Sequence, residues 1–335
     1  MHVLLVGGTG FLGGHIGRAF LESGHDVSVI SRGRRPVPSG VTHLHADRTD
    51  PVALGRLLEG RRFDFTVDLT AYDAADVERL LLIPYAALGR YVLISTGQVY
   101  LVTQDPPVPS AEQDSERPLV PEPEPGTHEH ANWVYGTGKR RAEGALLALR
   151  EMHGVRSVIL RLPIIQGEGD GSLRLWAYLE RMLDGGPIVL PDGGARHVRH
   201  VYAGDVAAAI VRLAGMPPPR FRIYNLAQPE TVSLREFLTR VALAAGLAPR
   251  FVDATWDEIE GAGIDPSFSP YGGRWASMPD PARAAEWGFV GSRLDEYLPR
   301  VVKWHLAHRP AESHEGYVQR AAELELAARL SAARA

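Results

Sequence analysis

The sequence contains no cysteine. Disulfides, thiolate nucleophiles, cysteine-ligated zinc and iron–sulfur clusters are therefore excluded. It has no run of about 18 apolar residues, the length a membrane-spanning helix needs. Its opening stretch, MHVLLVGGTG, carries neither a basic leader nor a small-residue cleavage site. These absences set the expectation of a cytoplasmic protein with no membrane partner. An excess of basic charge is missing as well. The 36 Lys and Arg face 40 Asp and Glu, for a formal charge of -4, which argues against nucleic acid as the main partner and leaves a small or anionic ligand open. Scarcest of all is lysine: among those 36 cationic side chains only Lys139 and Lys303 are lysines. Lys139 stands beside Arg140 and Arg141, in a chain that otherwise uses arginine.

What is present is an ordinary globular composition, 45% hydrophobic and 23% charged over 335 residues, enough for a large domain carrying a smaller one. The first hundred residues alternate apolar, β-branched runs with helical stretches. Strands are expected at 2–7, 26–32, 42–47, 63–70 and 90–96, and helices at 13–24 and at 73–88, the second interrupted by Pro84. That alternation predicts an α/β fold, a doubly wound parallel sheet covered by helices. Residues 103–131 are rich in Pro, Glu and Asp without apolar periodicity. They read as a solvated surface loop, with a substrate lid as the alternative. A helix at 135–154, a strand at 157–163, helices at 173–183 and 233–246 and a strand at 221–227 follow. A last helix spans about Glu312 to Arg334, and its stripe of Tyr317, Ala321, Leu324 and Ala328 is expected to pack on the body or on a partner chain.

VGGTGFLGGH places Gly7, Gly10 and Gly13 directly after the first strand and at the start of the first helix, with Phe11 and Leu12 inside the turn. Glycine lets the backbone turn tightly, lets a diphosphate reach main-chain N–H groups and lets the helix approach the strand. The triad alone is weak, but a strand before it and a helix after it are the context a dinucleotide site requires. An acidic residue ending the second strand would accept hydrogen bonds from the adenosine ribose 2′-hydroxyl. This chain has Ser31 and Arg32 there, with Arg34 and Arg35 close behind. Guanidinium groups suit a 2′-phosphate, so NADP(H) is preferred and NAD(H) stays open. Asp47, ending the third strand, reads equally as an adenine contact or a solvated strand end.

Tyr135 and Lys139 lie four apart on an expected helix and so share a face. An ammonium near a phenol favours the phenolate and brings tyrosine toward usable acid–base chemistry. Thr96, ending the strand in ISTGQVY, can orient and polarise a substrate oxygen.

The segments GGTGFLGGH, ISTGQVY, YGTGK, LRLPIIQGEGD, RHVRHVYAGDVAAAI and YNLAQPETVSLREFL, in that order over most of residues 1–240, resemble an extended short-chain dehydrogenase/reductase of the NAD-dependent epimerase/dehydratase family. Past residue 240 only DPARAAEWGF carries the likeness. The resemblance implies Thr96, Tyr135 and Lys139 as the catalytic trio, Leu69, Thr70, Ala71 and Tyr72 bordering the cofactor's centre, and Pro163 with Ile164 bordering the nicotinamide. It implies a Rossmann domain over 1–162 plus sheet-completing segments near 200–227, a smaller substrate-binding region over 163–199 and 228–310, and a C-terminal helix over 311–335. A homodimer paired through helices 73–88 and 135–150 follows from family habit.

Departures from the family pattern narrow the chemistry. Gly97 and Gln98 stand where the family's dehydratases carry an Asp–Glu pair, and neither can exchange protons. Ile164 replaces the asparagine typical of sugar-nucleotide epimerases, and Val198 replaces their phosphate-binding arginine, although Arg196 and Arg199 flank it. LTAY and ISTGQVYLV resemble the atypical, reductase-like bacterial members and the chloroplast stem-loop-binding proteins associated with RNA. Tyr72, Gln98, Arg199 and Arg274 are the substrate candidates, and Glu168 and Asp170 fit a substrate contact or a glycine-rich turn equally. His128, His130, His197 and His200 lack further ligands, so no metal is expected. The expected function is NADP(H)-dependent reduction of a carbonyl, or epimerisation of a carbinol, in a small metabolite. A sugar-nucleotide epimerase and a non-catalytic RNA-binding or cofactor-sensing protein are the alternatives.

Overall fold

The structure is a computed structural model that describes residues 1–84, 86–273 and 275–334. The chain divides into two units. The first comprises Met1–Ile165, Val201–Ala227 and Met278–Gly291, and the second comprises Gln166–His200, Gln228–Ser277 and Ser292–Ala335.

The first unit is built on seven parallel strands. β1 (His2–Val6), β2 (Asp26–Ser31), β3 (Thr42–His45), β4 (Phe65–Asp68), β5 (Arg90–Thr96) and β6 (Ser157–Leu162) are joined by the strand Ile223–Asn225. Their spatial order is Ile223–Asn225, β6, β5, β4, β1, β2, β3, a doubly wound arrangement whose order reverses between β1 and β4. Alternation along each strand feeds two cores. Val3, Leu5, Val67, Val92 and Leu160 pack with α1 (Phe11–Glu22) and the helix Ala203–Gly215. Leu4, Val6, Leu93 and Ile159 pack with α2 (Pro51–Leu58), α3 (Ala74–Leu81) and α5 (His128–His153).

Local chemistry fixes where these helices begin. Asp50 accepts hydrogen bonds from the Val52 and Ala53 amides at 3.0 and 2.9 Å, with Pro51 opening α2. Thr127 caps α5 by accepting from the His130 amide at 3.1 Å, so the helix starts seven residues before the expected 135. α3 ends at Leu81, before Pro84; the rest of the expected helix 73–88 is not helical over its described residues, and Tyr85 lies outside them. A short α4 (Gln98–Leu101) follows β5.

Residues 103–127 are mostly exposed, as expected of a surface loop, but the segment is anchored at a few buried points. Thr103, Ser110, Glu112 and Ser115 are buried, and Glu112–Glu116 forms a 3₁₀ turn. Residues 278–291 belong with the first unit, although the sequence placed them in 228–310. The Asp280 amide donates to the Ser110 carbonyl at 2.8 Å, and Ala284, Trp287 and Phe289 join the sheet core.

Within the second unit, the strand Ile188–Pro191 pairs in parallel with Phe251–Ala254, beside helices Arg174–Leu183, Leu234–Ala245, Leu294–Ala307 and Arg320–Ala333. The last of these packs on this unit, but not through the expected stripe: Ala321, Leu324 and Ala328 are exposed. The buried face carries Leu326, Ala327 and Leu330 together with Arg320 and Glu323. Glu323 is satisfied by Arg181 at 2.8 Å and by the Val189 amide at 3.1 Å, which is why charged residues occupy a buried face.

Candidate active site

Parallel pairing brings the strand ends of the first unit to one side, with Val6 opposite Ile30 and Asp68, and Thr96 opposite Leu162. A cleft of about 810 Å³ opens there, at the switch point where such sheets bind ligands.

The glycine turn forms one end of the cleft. A methyl group at Gly13 would lie 2.6 Å from the Gly8 backbone, so only glycine permits this approach of helix to strand. Gly10, the N-cap of α1, offers no side-chain cap and no acid occupies the first turn. The helix amides are therefore left to an anion. Gly7, Gly10, Leu12 and Gly13 line the cleft, as do Ser31, Arg32, Arg34 and Asp47. Arg35 lines it too, and its Nη1 would sit 3.7 Å from a methyl on Gly10, so its guanidinium lies over the turn. Asp47 is held below the usual carboxylate range, first by the Thr49 amide at 2.9 Å and then by the Thr49 hydroxyl at 2.8 Å, with Arg32 and Arg34 adding to the effect.

Sequence reading missed the ion pair beneath the centre. Asp68, fully buried at the end of β4, receives Arg48 through two bonds of 2.7 and 3.0 Å, the Tyr91 hydroxyl at 2.6 Å and the Thr70 amide at 2.9 Å. Arg48 also donates to the Thr70 hydroxyl at 2.9 Å and to the Asp76 carbonyl at 2.8 Å. Burial alone would lower the Arg48 pKa, but Asp68 beside it raises it overall. Burial, followed by Asp68, pushes the Tyr91 phenol well up. The pair pins Thr70, and Asp76 accepts from the Tyr72 amide at 2.8 Å; Leu69, Thr70 and Tyr72 line the cleft. An aspartate in the apolar run FDFTVD was the available signal, because a buried carboxylate demands a cation.

Thr96, Tyr135 and Lys139 line the same cleft with Pro163. Lys139 is 2% exposed and donates to the Ile94 carbonyl at 2.9 Å. Its ammonium lies 4.9 Å from the centre of the Tyr72 ring and 6.0 Å from that of Tyr135. Burial, opposed by Asp68 and Glu143, lowers its pKa to about 8. The Thr96 hydroxyl oxygen accepts from the Gln98 amide at 3.2 Å, which leaves its own proton to donate.

Behind the trio, Arg161 and Glu143 pair at 2.6 Å, both buried. Glu143 also accepts from Ser95, while Arg161 donates to the Glu112 carbonyl at 2.7 Å, Ser115 at 2.9 Å and the Tyr100 hydroxyl at 3.0 Å. Burial would lower the Arg161 pKa, but Glu143 raises it overall.

The remaining candidates lie elsewhere. Phe11 stacks edge-on against His15 at 5.3 Å, and Ala71 is buried in the core beneath α3 and α5. Ile164 is half-buried, and its neighbours Pro163 and Ile165 line the cleft in its place. Gln98 donates to Asn132 at 2.6 Å and does not line the cleft. Arg199 belongs to the second unit; Arg274 lies outside the described residues. Also in the second unit, Glu168 pairs with Arg300 at 2.6 Å and Asp170 accepts from Ser172 at 2.7 and 2.9 Å. His130 contacts Glu122 at 3.0 Å, and burial pushes His200 down to about 3, keeping it neutral. Among the described residues no three His, Asp or Glu gather as metal ligands, and no helix is long and apolar enough to cross a membrane.

The chain is 30% identical over 293 residues to 2′-dehydrokanamycin reductase of Streptomyces kanamyceticus, covering 84% of this chain and 77% of that protein. It is 25% identical over 263 residues to a chloroplast stem-loop binding protein of 41 kDa from Arabidopsis thaliana, covering 73% and 63%. The fold matches a UDP-glucose 4-epimerase from Thermotoga maritima with a TM-score of 0.72 at 18% identity, over 92% of this chain and 100% of that one. It also matches a dTDP-glucose 4,6-dehydratase from Streptomyces venezuelae with a TM-score of 0.70 at 20% identity, over 92% and 98%. Residues 3–227 match the NAD dependent epimerase/dehydratase family, and the chain belongs to that family of NAD(P)-dependent oxidoreductases and epimerases.

Proposed function

We propose that the protein is an NADP(H)-dependent reductase that converts a ketone on a small sugar-like metabolite to the alcohol. The observation that carries this reading is Thr96, Tyr135 and a desolvated Lys139 on one cleft with the glycine turn. The residues fit the cofactor: the uncapped N-terminus of α1 suits a diphosphate, and Arg32, Arg34 and Arg35 suit a 2′-phosphate. When bound, the cofactor supplies the hydride. Tyr135 gives its proton to the substrate oxygen, and the Lys139 ammonium stabilises the phenolate left behind. Thr96 donates its hydroxyl proton to the same oxygen and holds it in place. Gly97 and Gln98 supply no acid–base pair for water loss. The similarity to a 2′-dehydrokanamycin reductase supports reduction over dehydration and the choice of substrate class. A cytoplasmic homodimer paired through α3 and α5 is part of the same proposal, and Val134, exposed on α5, is compatible with it.

Tyr135→Phe is expected to lower kcat at least a hundredfold while leaving NADPH affinity within about twofold. Stopped-flow oxidation of NADPH with a panel of ketosugars measures it, and an undiminished rate overturns the assignment. Epimerisation would use the same trio, and retention of the nucleotide in its starting redox state after turnover would favour it. The likeness to the stem-loop binding protein gives the RNA-binding reading its footing. Steeply salt-dependent RNA affinity without ketone turnover would favour that reading.

A further inference from the structure

β3 carries two histidines that the proposed reaction leaves unused. His43 and His45 alternate with the buried Leu44 and so present both imidazoles on one side of the strand. Their rings meet edge to face, with centres 5.7 Å apart. His43 Nε2 lies 2.9 Å from the Ser31 hydroxyl oxygen and 3.3 Å from the Ser31 carbonyl, and His45 Nε2 lies 3.2 Å from the Arg32 carbonyl. The loop rests directly on the rings. Gly33 has φ +70°, and a methyl there would lie 3.1 Å from His45 and 3.6 Å from His43.

Proton placement follows from these partners. A carbonyl only accepts, so the contact to Arg32 requires a hydrogen on His45 Nε2. His43 Nε2 faces both a carbonyl and a hydroxyl, and a hydrogen there serves both. The Ser31 oxygen then accepts from His43 and from the Gly33 amide at 3.3 Å, so its single O–H has no acceptor within the loop and is free to donate into the cleft. Around it stand Arg32, Arg34 and Arg35, all donors. Asp47 also lines this end of the cleft, with its Oδ1 accepting both bonds from Thr49. Three guanidinium groups and a hydroxyl held to donate match a phosphate, which only accepts.

Resting on the NADP(H) reading, we propose that His43 and His45 are positioning residues for the 2′-phosphate. His43 turns the Ser31 hydroxyl into an obligate donor, and His45 fixes the Arg32 peptide from which that guanidinium projects. Neither imidazole touches the nucleotide.

The test is a double-mutant cycle read by NADPH and NADH binding. His43→Leu and Ser31→Ala should each weaken NADPH about tenfold, the worth of one hydrogen bond to a charged group, and leave NADH within twofold. The double variant should lose no more than either single one, because both remove the same donor. His43→Gln, whose amide N–H can replace the ring donor, should recover most of the loss, and His45→Leu should shift the NADPH to NADH ratio in the same direction. Unchanged NADH binding certifies that each variant is folded. Fully additive losses, or equal weakening of both nucleotides, overturn the inference and leave the cofactor reading standing. A wild-type ratio near one removes the cofactor reading itself.

Discussion

Lys139 carries a cost that its surroundings only partly offset. Burial draws its pKa from 10.5 to about 8 against the pull of Asp68 and Glu143. In the unfolded chain the ammonium keeps its proton up to about pH 10.4. Between roughly pH 8 and 10.4 the unfolded state therefore binds more protons than the fold, and stability rises with pH across that window; below about 8 the full penalty is present. Lys139→Met should thus stabilise the ligand-free protein at pH 7 by on the order of 1 to 3 kcal/mol in urea unfolding and lower kcat at least a hundredfold. A variant less stable than the wild type at pH 7 would show that the charge is not strained. In the wild type, ketone reduction should slow as pH climbs through about 8 and the ammonium is lost. This residue was legible because lysine is otherwise almost absent. Arg48 and Asp68 were not: two charged residues twenty positions apart show no spacing rule, and only the parallel sheet brings them together.

The helix α5 supplies both Tyr135 and Lys139, and its seating depends on a close approach. A methyl at Gly138 would lie 2.5 Å from the Tyr72 carbonyl oxygen. Gly138→Ala is expected to cost about 1 to 3 kcal/mol, read as a lower urea midpoint. Its loss of kcat should exceed what stability predicts, since the displaced turn carries the acid and its lysine. Behind the same helix, Arg161→Met leaves Glu143 buried with Ser95 as its remaining side-chain partner. A loss of about 3 to 5 kcal/mol is expected, together with new proteolytic cleavage in residues 103–127, which Arg161 holds through Glu112 and Ser115. Equal protease resistance in that segment would refute this role. The sequence located β5 to the residue, at 90–96, because its apolar run is long and bounded. It read 103–127 as exposed, which most of those residues are, but it did not find the anchor points at Glu112 and Ser115, because one distant arginine supplies them. The face the C-terminal helix buries went unseen for a related reason: Arg320 and Glu323 are buried there as paired charges, and a hydrophobicity pattern cannot register them.

For the molecule as a whole, the alternating pattern announced the doubly wound sheet, and the glycine turn, the second strand's end and the Tyr135–Lys139 spacing fall on one cleft. The second unit was far less legible, since its strands are short and its elements come from three separated stretches. The first unit is also discontinuous, and this bears on how the chain is made. β6 is complete at Leu162, yet its outer edge is paired only by Ile223–Asn225, and the core it shares is closed by Trp287 and Phe289. At ribosomal rates of about 5 to 20 residues per second, residue 289 emerges roughly 6 to 25 s after β6. Until Ile223–Asn225 emerges, roughly 3 to 13 s after β6 at those rates, the nascent sheet offers a bare strand edge to its neighbours, so the yield of folded protein is expected to depend on how that edge is shielded during synthesis.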